Sequence, residues 1–308
     1  MDSTSHPRPQ RTLRTRIHCN GIGLHTGRRL RLTIGPAAID SGVLFRRVDL
    51  PGEPVIPARW DRVVDTRLCT VIADEAGARV GTIEHLMSAF AGLGIDNAMV
   101  EIDGPEIPVM DGSAEAFVFL IECAGSVEQS ASQKRLRILK RVAVANGSVS
   151  ASLSPSPCAM LDFTLDYANA TIGRQQRSVR LRGDAFKREI ARARTFGFAE
   201  EVDALRQHGL ALGGSLDNAV VIAADRVVNR EGLRYGDEFV RHKILDAIGD
   251  LALVGAPIEG RFSGMRSGHA LNNQLLRALF ADPEAWSWIE DETPAFDLES
   301  QAEWQATA

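Results

Sequence analysis

Cysteine is scarce in this chain of 308 residues, and its four copies, Cys19, Cys69, Cys123 and Cys158, nowhere form a C-x-x-C spacing. That excludes a thiolate metal site of the usual kind and fits a reducing cytosol. There is no excess of positive charge: the formal net charge is −5, so long-range attraction to nucleic acid is not indicated. A local group such as Arg28, Arg29 and Arg31 could still meet a diphosphate. No apolar run approaches the roughly eighteen residues a membrane span requires, and residues 1–16 are polar and basic without the apolar centre of a signal peptide. The expectation is a soluble, cytoplasmic protein without a transmembrane segment. An internal sequence repeat is also lacking. What is present is an apolar content of 44%, enough for one large or two medium cores.

The weakest stretch is 125–134, polar, rich in small residues and without period, and it reads as the boundary between two domains, 1–128 and 129–300. Before it, residues 30–34 and 98–102 alternate as strands do, with helices expected at 82–92 and 113–124. After it, strands are expected over 136–144, 148–153 and 160–167, and helices over 184–192, 238–254 and 270–281. Both halves are mixed α+β. The acid-rich segment after Pro283 is expected to be peripheral, with 301–308 a tail.

Three segments carry candidate chemistry. In 237–251, Phe239, Val240, Ile244, Leu245, Ile248 and Leu251 recur at three- and four-residue steps, the period of a buried amphipathic helix. His242, Asp246 and Asp250 then share one face, where imidazole and carboxylate could converge on a divalent metal or could simply be solvated. In 81–94, Thr82 reads as an N-cap and Gly92 and Gly94 as the stop. Glu84 and His85 then fall in the first turn, where the helix end favours an ionised carboxylate. In 266–280, His269 follows a Ser-Gly turn at the start of an apolar helix. It is a candidate acid or base, or else a packed cap.

These segments belong to a longer series in chain order: GIGLHTG (21–27), TIEHL (82–86), AGLGIDN (91–97), PEIPVMDGS (105–113), ARTFGF (193–198), LGGS (212–215), RHKILDAIGD (241–250) and SGHALNN (267–273). In this series, which runs from about residue 14 to 286, the chain resembles the UDP-3-O-acyl-N-acetylglucosamine deacetylase family, zinc hydrolases of lipid A synthesis.

The resemblance implies an α+β fold of two topologically similar α/β sandwich domains with helices packed between the sheets. It implies one zinc ion per chain, with iron(II) an alternative occupant in the cell, held by His85, His242 and Asp246 with a fourth position open. It makes Glu84 the base, His269 the acid that Asp250 keeps protonated, and Thr195 with Lys243 stabilisers of the carbonyl oxygen. Phe196 becomes a wall of the sugar or acyl site and Tyr167 the uridine contact, while residues 210–215 and 219–224 frame a lipid passage or fill core. The implied partner is a UDP-linked acylated amino sugar, and the expected state is a monomer.

Two other classes fit part of the pattern. Two histidines and a carboxylate also describe the facial triad of iron(II) oxygenases, although a histidine and an acid at i and i+4 of a helix are not its usual spacing. A binder that kept the fold and lost the chemistry would not be expected to retain Glu84, the three ligands and His269 together.

Overall fold

In the computed structural model, which describes residues 8–290, two five-stranded sheets are built on one plan. The first contains β1 (Ile17–Ile22), β2 (Arg29–Gly35), β3 (Val43–Arg47), β4 (Val55–Pro57) and β5 (Ala98–Ile102), in the spatial order β1-β2-β5-β3-β4. The second contains β6 (Val142–Asn146), β7 (Val149–Ser154), β8 (Met160–Asp166), β9 (Arg174–Arg180) and β10 (Arg261–Met265), in the order β6-β7-β10-β8-β9. In each, the last strand inserts antiparallel to the second and parallel to the third, and all other pairs are antiparallel. The similarity of the halves, invisible as a sequence repeat, is therefore explicit in strand order and direction.

The helices repeat as well. Helix α1 (Glu84–Leu93) precedes β5 and α2 (Glu115–Ala124) follows it. The short α3 (Ala185–Glu189) and α4 (Ala199–Gln207) decorate the second half, where α5 (Glu238–Leu251) precedes β10 and α6 (His269–Phe280) follows it. Each half also inserts a three-stranded sheet ahead of its inner helix: 63–80 before α1 and 196–227 before α5. Helices α5 and α6 lie on the second sheet, α2 on the first, and α1 packs against α5 and α2. The α5 stripe anticipated from its spacing, Phe239, Val240, Ile244, Leu245, Ile248 and Leu251, is buried throughout.

Three sequence expectations are corrected. The stretch 125–134 is not featureless: Ser126–Ser132 is a strand antiparallel to Pro9–Leu13. Its small polar residues carry no apolar alternation, and its partner lies more than a hundred residues away. The segment after Pro283 is not peripheral where it is described, because Trp286–Glu290 pairs along its length with Lys134–Ile138, Ala285 is fully buried and Trp286 packs edge-on against Phe280. There the alternation of Trp286 and Trp288 outweighs the acid content. The expected tail 301–308 lies outside the described residues. Finally, the single strand expected over 136–144 is two, Lys134–Ile138 and β6, belonging to different sheets.

Candidate metal centre

Helices α1 and α5 cross so that His85 from one faces His242 and Asp246 from the other, and one ligand atom from each lies within 4.8 Å of the other two. All three residues are buried. His242 Nδ1 donates to the Ala193 carbonyl oxygen at 3.0 Å, which leaves Nε2 as a lone pair pointing inward. Asp246 Oδ2 accepts from Lys243 Nζ at 2.7 Å. Its Oδ1 is buried and has no hydrogen-bond partner, yet stands 3.2 Å from His242 Nε2 and 3.5 Å from His85 Nε2.

Electrostatics make His242 and Asp246 acceptors. Burial depresses the His242 pKa to about 3, so its ring is neutral. Burial opposes ionisation of Asp246, but His242 and Lys243 beside it more than offset that and hold its carboxyl well below the usual carboxylate range. Lone pairs facing one another in a buried pocket are costly without a cation or other donor between them. Two imidazoles and one carboxylate suit a divalent metal. Cys69, also buried, takes no part: burial pushes its thiol up to about 12.

A second group adjoins the triangle. Glu84 opens α1, fully enclosed, with Oε2 accepting the Thr70 N–H at 3.0 Å and Oε1 4.0 Å from His269 Nε2. Burial raises its pKa. His269 opens α6 as expected, and its Nδ1 donates to Asp250 Oδ2 at 2.9 Å. Burial alone would discharge that ring, but Asp250, with Glu84 and Asp246 behind it, raises its pKa to about 9. Lys243 keeps its proton for a similar reason, since Asp246 outweighs burial.

Thr195 and Phe196 follow the Ala193 carbonyl that holds His242. The Phe196 ring lies edge-on to Phe239 and Tyr167, with centroids 5.0 and 6.2 Å away, 6.3 Å from His242 and under the Lys243 ammonium. The structure thus brings Glu84, His85, His242, Lys243, Asp246, Asp250 and His269 together, with Phe196 beside His242 and Tyr167 against Phe196. Only the passage segment divides: Leu212 and Leu216 are exposed, whereas Val220 and Ile222 are fully buried core.

The expected N-cap at Thr82 is not formed. Ile83 occupies that position, and Thr82, at φ 55°, turns its hydroxyl to Glu106 Oε1 at 2.9 Å. Glu106 also accepts the N–H groups of His25 and Thr26, so it fixes the 21–27 loop beside the site. His25, whose ring nitrogens are both buried without hydrogen bonds, has its pKa lowered by burial and is close enough to feel the charge of His269. Sequence reasoning quoted His25, Glu106 and Asn272 inside motifs without giving them tasks. Thr70 it missed altogether, because Thr70 lies in no motif and its partners are distant in sequence.

Comparison with known proteins finds one family. The family model described as UDP-3-O-acyl N-acetylglycosamine deacetylase matches residues 10–281. Proteins named UDP-3-O-acyl-N-acetylglucosamine deacetylase are similar along most of their length. The one from Acidithiobacillus ferrooxidans is 51% identical over 283 residues, 91% of this chain and 93% of its own. Those of Shewanella frigidimarina and Stenotrophomonas maltophilia are each 48% identical, over 94% and 93% of this chain and 94% and 95% of theirs.

Proposed function

The chain belongs to the UDP-3-O-acyl N-acetylglycosamine deacetylase family, and from that premise we propose that it hydrolyses the acetamide of a UDP-linked 3-O-acyl-N-acetylglucosamine. The products are acetate and the free 2-amino sugar, a step of lipid A biosynthesis. The observation that carries this reading is the buried triangle of His85, His242 and Asp246 with the Glu84–His269 pair beside it.

In this reading His85, His242 and Asp246 hold one zinc ion, which supplies Lewis acidity toward water and toward a carbonyl. Glu84, adjacent to a ligand, takes the proton of the attacking water. Its raised pKa makes it a stronger base than an ordinary carboxylate. The carbonyl oxygen gains negative charge as the tetrahedral carbon forms, and the Lys243 ammonium and Thr195 stabilise it. His269, kept protonated by Asp250, gives its proton to the departing nitrogen. Tyr167 and Phe196 form the aromatic wall for the uridine and sugar. All these residues come from one chain, so the reading requires no second copy. Four free cysteines fit a reducing cytoplasm, and among the described residues no helix is long and apolar enough to cross a membrane.

The experiment is acetate release from UDP-3-O-acyl-N-acetylglucosamine by metal-replete protein, with and without a chelator and in the absence of oxygen. Chelator-sensitive, oxygen-independent release is expected. Its absence from metal-replete protein overturns the reading.

A further inference from the structure

We propose that Thr70 is a positioning residue for proton transfer: by gripping Glu84 and Asp250 together, it sets where His269 stands between them. The proposal rests on the deacetylase reading above. Thr70 is buried immediately before the strand Val71–Ala73. Its backbone N–H donates to Glu84 Oε2 at 3.0 Å, and its hydroxyl donates to Asp250 Oδ1 at 2.6 Å. The two carboxylates belong to different halves of the molecule, Glu84 to α1 and Asp250 to α5. Among the described residues, Thr70 alone hydrogen-bonds both side chains.

The other oxygen of Asp250 is already committed, accepting Asn272 Nδ2 at 2.8 Å and His269 Nδ1 at 2.9 Å. With its two oxygens held from opposite sides, Asp250 has one orientation, and His269 is aimed through it so that Nε2 faces Glu84. The hydroxyl also acts electrostatically. Its positive end points at Asp250 and tempers the pull of that carboxylate on the imidazolium. The charged and titratable groups facing His269 are Glu84 from α1, Asp246 and Asp250 from α5, and His25 from the 21–27 loop. None of them changes in a Thr70 variant. A Thr→Val replacement keeps the volume and the backbone donor to Glu84 and removes only the hydroxyl.

The test compares wild-type, Thr70→Val and Thr70→Ser holoenzymes in metal content, KM, kcat and the pH profile. Thr70→Val is expected to retain its metal and KM, lose about tenfold in kcat, and move the alkaline limb upward by as much as about one pH unit, the scale of one hydrogen bond to a charged group. Thr70→Ser is expected to restore both. If Thr70→Val does not fold, Thr70→Ala, which also lacks the donor, carries the same expectation. A folded, non-donating variant with wild-type kcat and limb overturns the proposal, as does a Thr70→Ser enzyme indistinguishable from it. A wild-type enzyme with no deacetylase activity defeats the functional reading instead, so the two failures are distinct.

Discussion

Gly249 of α5 lies against the backbone of Glu84 on α1 with no space for a methyl group, since a β-carbon at 249 would overlap the Glu84 carbonyl oxygen. The helices that carry the candidate ligands meet at this point.

Gly249→Ala therefore sets two effects against each other. Alanine is favoured over glycine in a helix interior by about 1 kcal/mol, but overpacking against backbone costs about 1–3 kcal/mol. Because neither backbone can yield without separating α1 from α5, the second effect is expected to win. Urea denaturation should show a net loss of stability, and metal content and kcat/KM should fall with it. A more stable, fully active alanine variant would show that the helices can shift freely.

The ligand set makes a sharp prediction for metal analysis. His85→Ala, His242→Ala and Asp246→Ala are expected to purify with little zinc, while Glu84→Gln and His269→Gln retain it, because only the first three point free atoms into the triangle. Near-stoichiometric zinc in His242→Ala would contradict the assignment.

Activity should be bell-shaped in pH. It requires Glu84 ionised, so it falls on the acid side; burial raises the pKa that sets this limb, and a bound cation opposes the rise. It requires His269 protonated, so it falls on the alkaline side at or below about 9, since a bound cation would only lower that value. Stability has a related sign. A folded pKa raised from 6.5 to about 9 means that the His269 contribution is complete below 6.5 and is lost as pH rises through 9. Loss of either group should cost roughly 10²–10⁴ in rate. A His269→Gln enzyme with an unaltered alkaline limb would assign the proton to another donor.

Substrate length is the fourth test. Ile22 and Leu212 stand exposed at the edge of the 21–27 loop, where Leu212 N–H bonds the His25 carbonyl oxygen. If the 3-O-acyl chain covers them, each buried methylene contributes about 0.8 kcal/mol, and five contribute about 4 kcal/mol, nearly a thousandfold. Plain UDP-N-acetylglucosamine should be a poor substrate, and kcat/KM should climb with acyl length to a plateau. Leu212→Asp should depress the long-chain values selectively. Equal rates across the series would remove the passage from the picture.

The candidate site was legible in the sequence because its residues sit on helices whose period is local: the α5 stripe fixes which face His242 and Asp246 share, and His269 begins its helix where the Ser-Gly turn places it. What escaped was decided by partners far away in the chain. Thr82 has the chemistry of an N-cap, but Glu106 claims its hydroxyl and draws its backbone to φ 55°. Thr70 is unremarkable until folding sets it between Glu84 and Asp250. The duplicated strand order is carried by backbone hydrogen bonds, which different side chains can satisfy equally, so no repeat survives in the letters.

The division of the candidate ligands between α1 and α5 has a consequence for the order of synthesis. A ribosome delivers His85 with the first half of the chain, long before His242 and Asp246 emerge. Until the second half has folded against the first, a nascent chain offers one of the three candidate ligands, His85, to passing metal. On the proposed reading, completion of the polypeptide, docking of its halves and capture of the ion become one event, and an unfinished copy lacks the site.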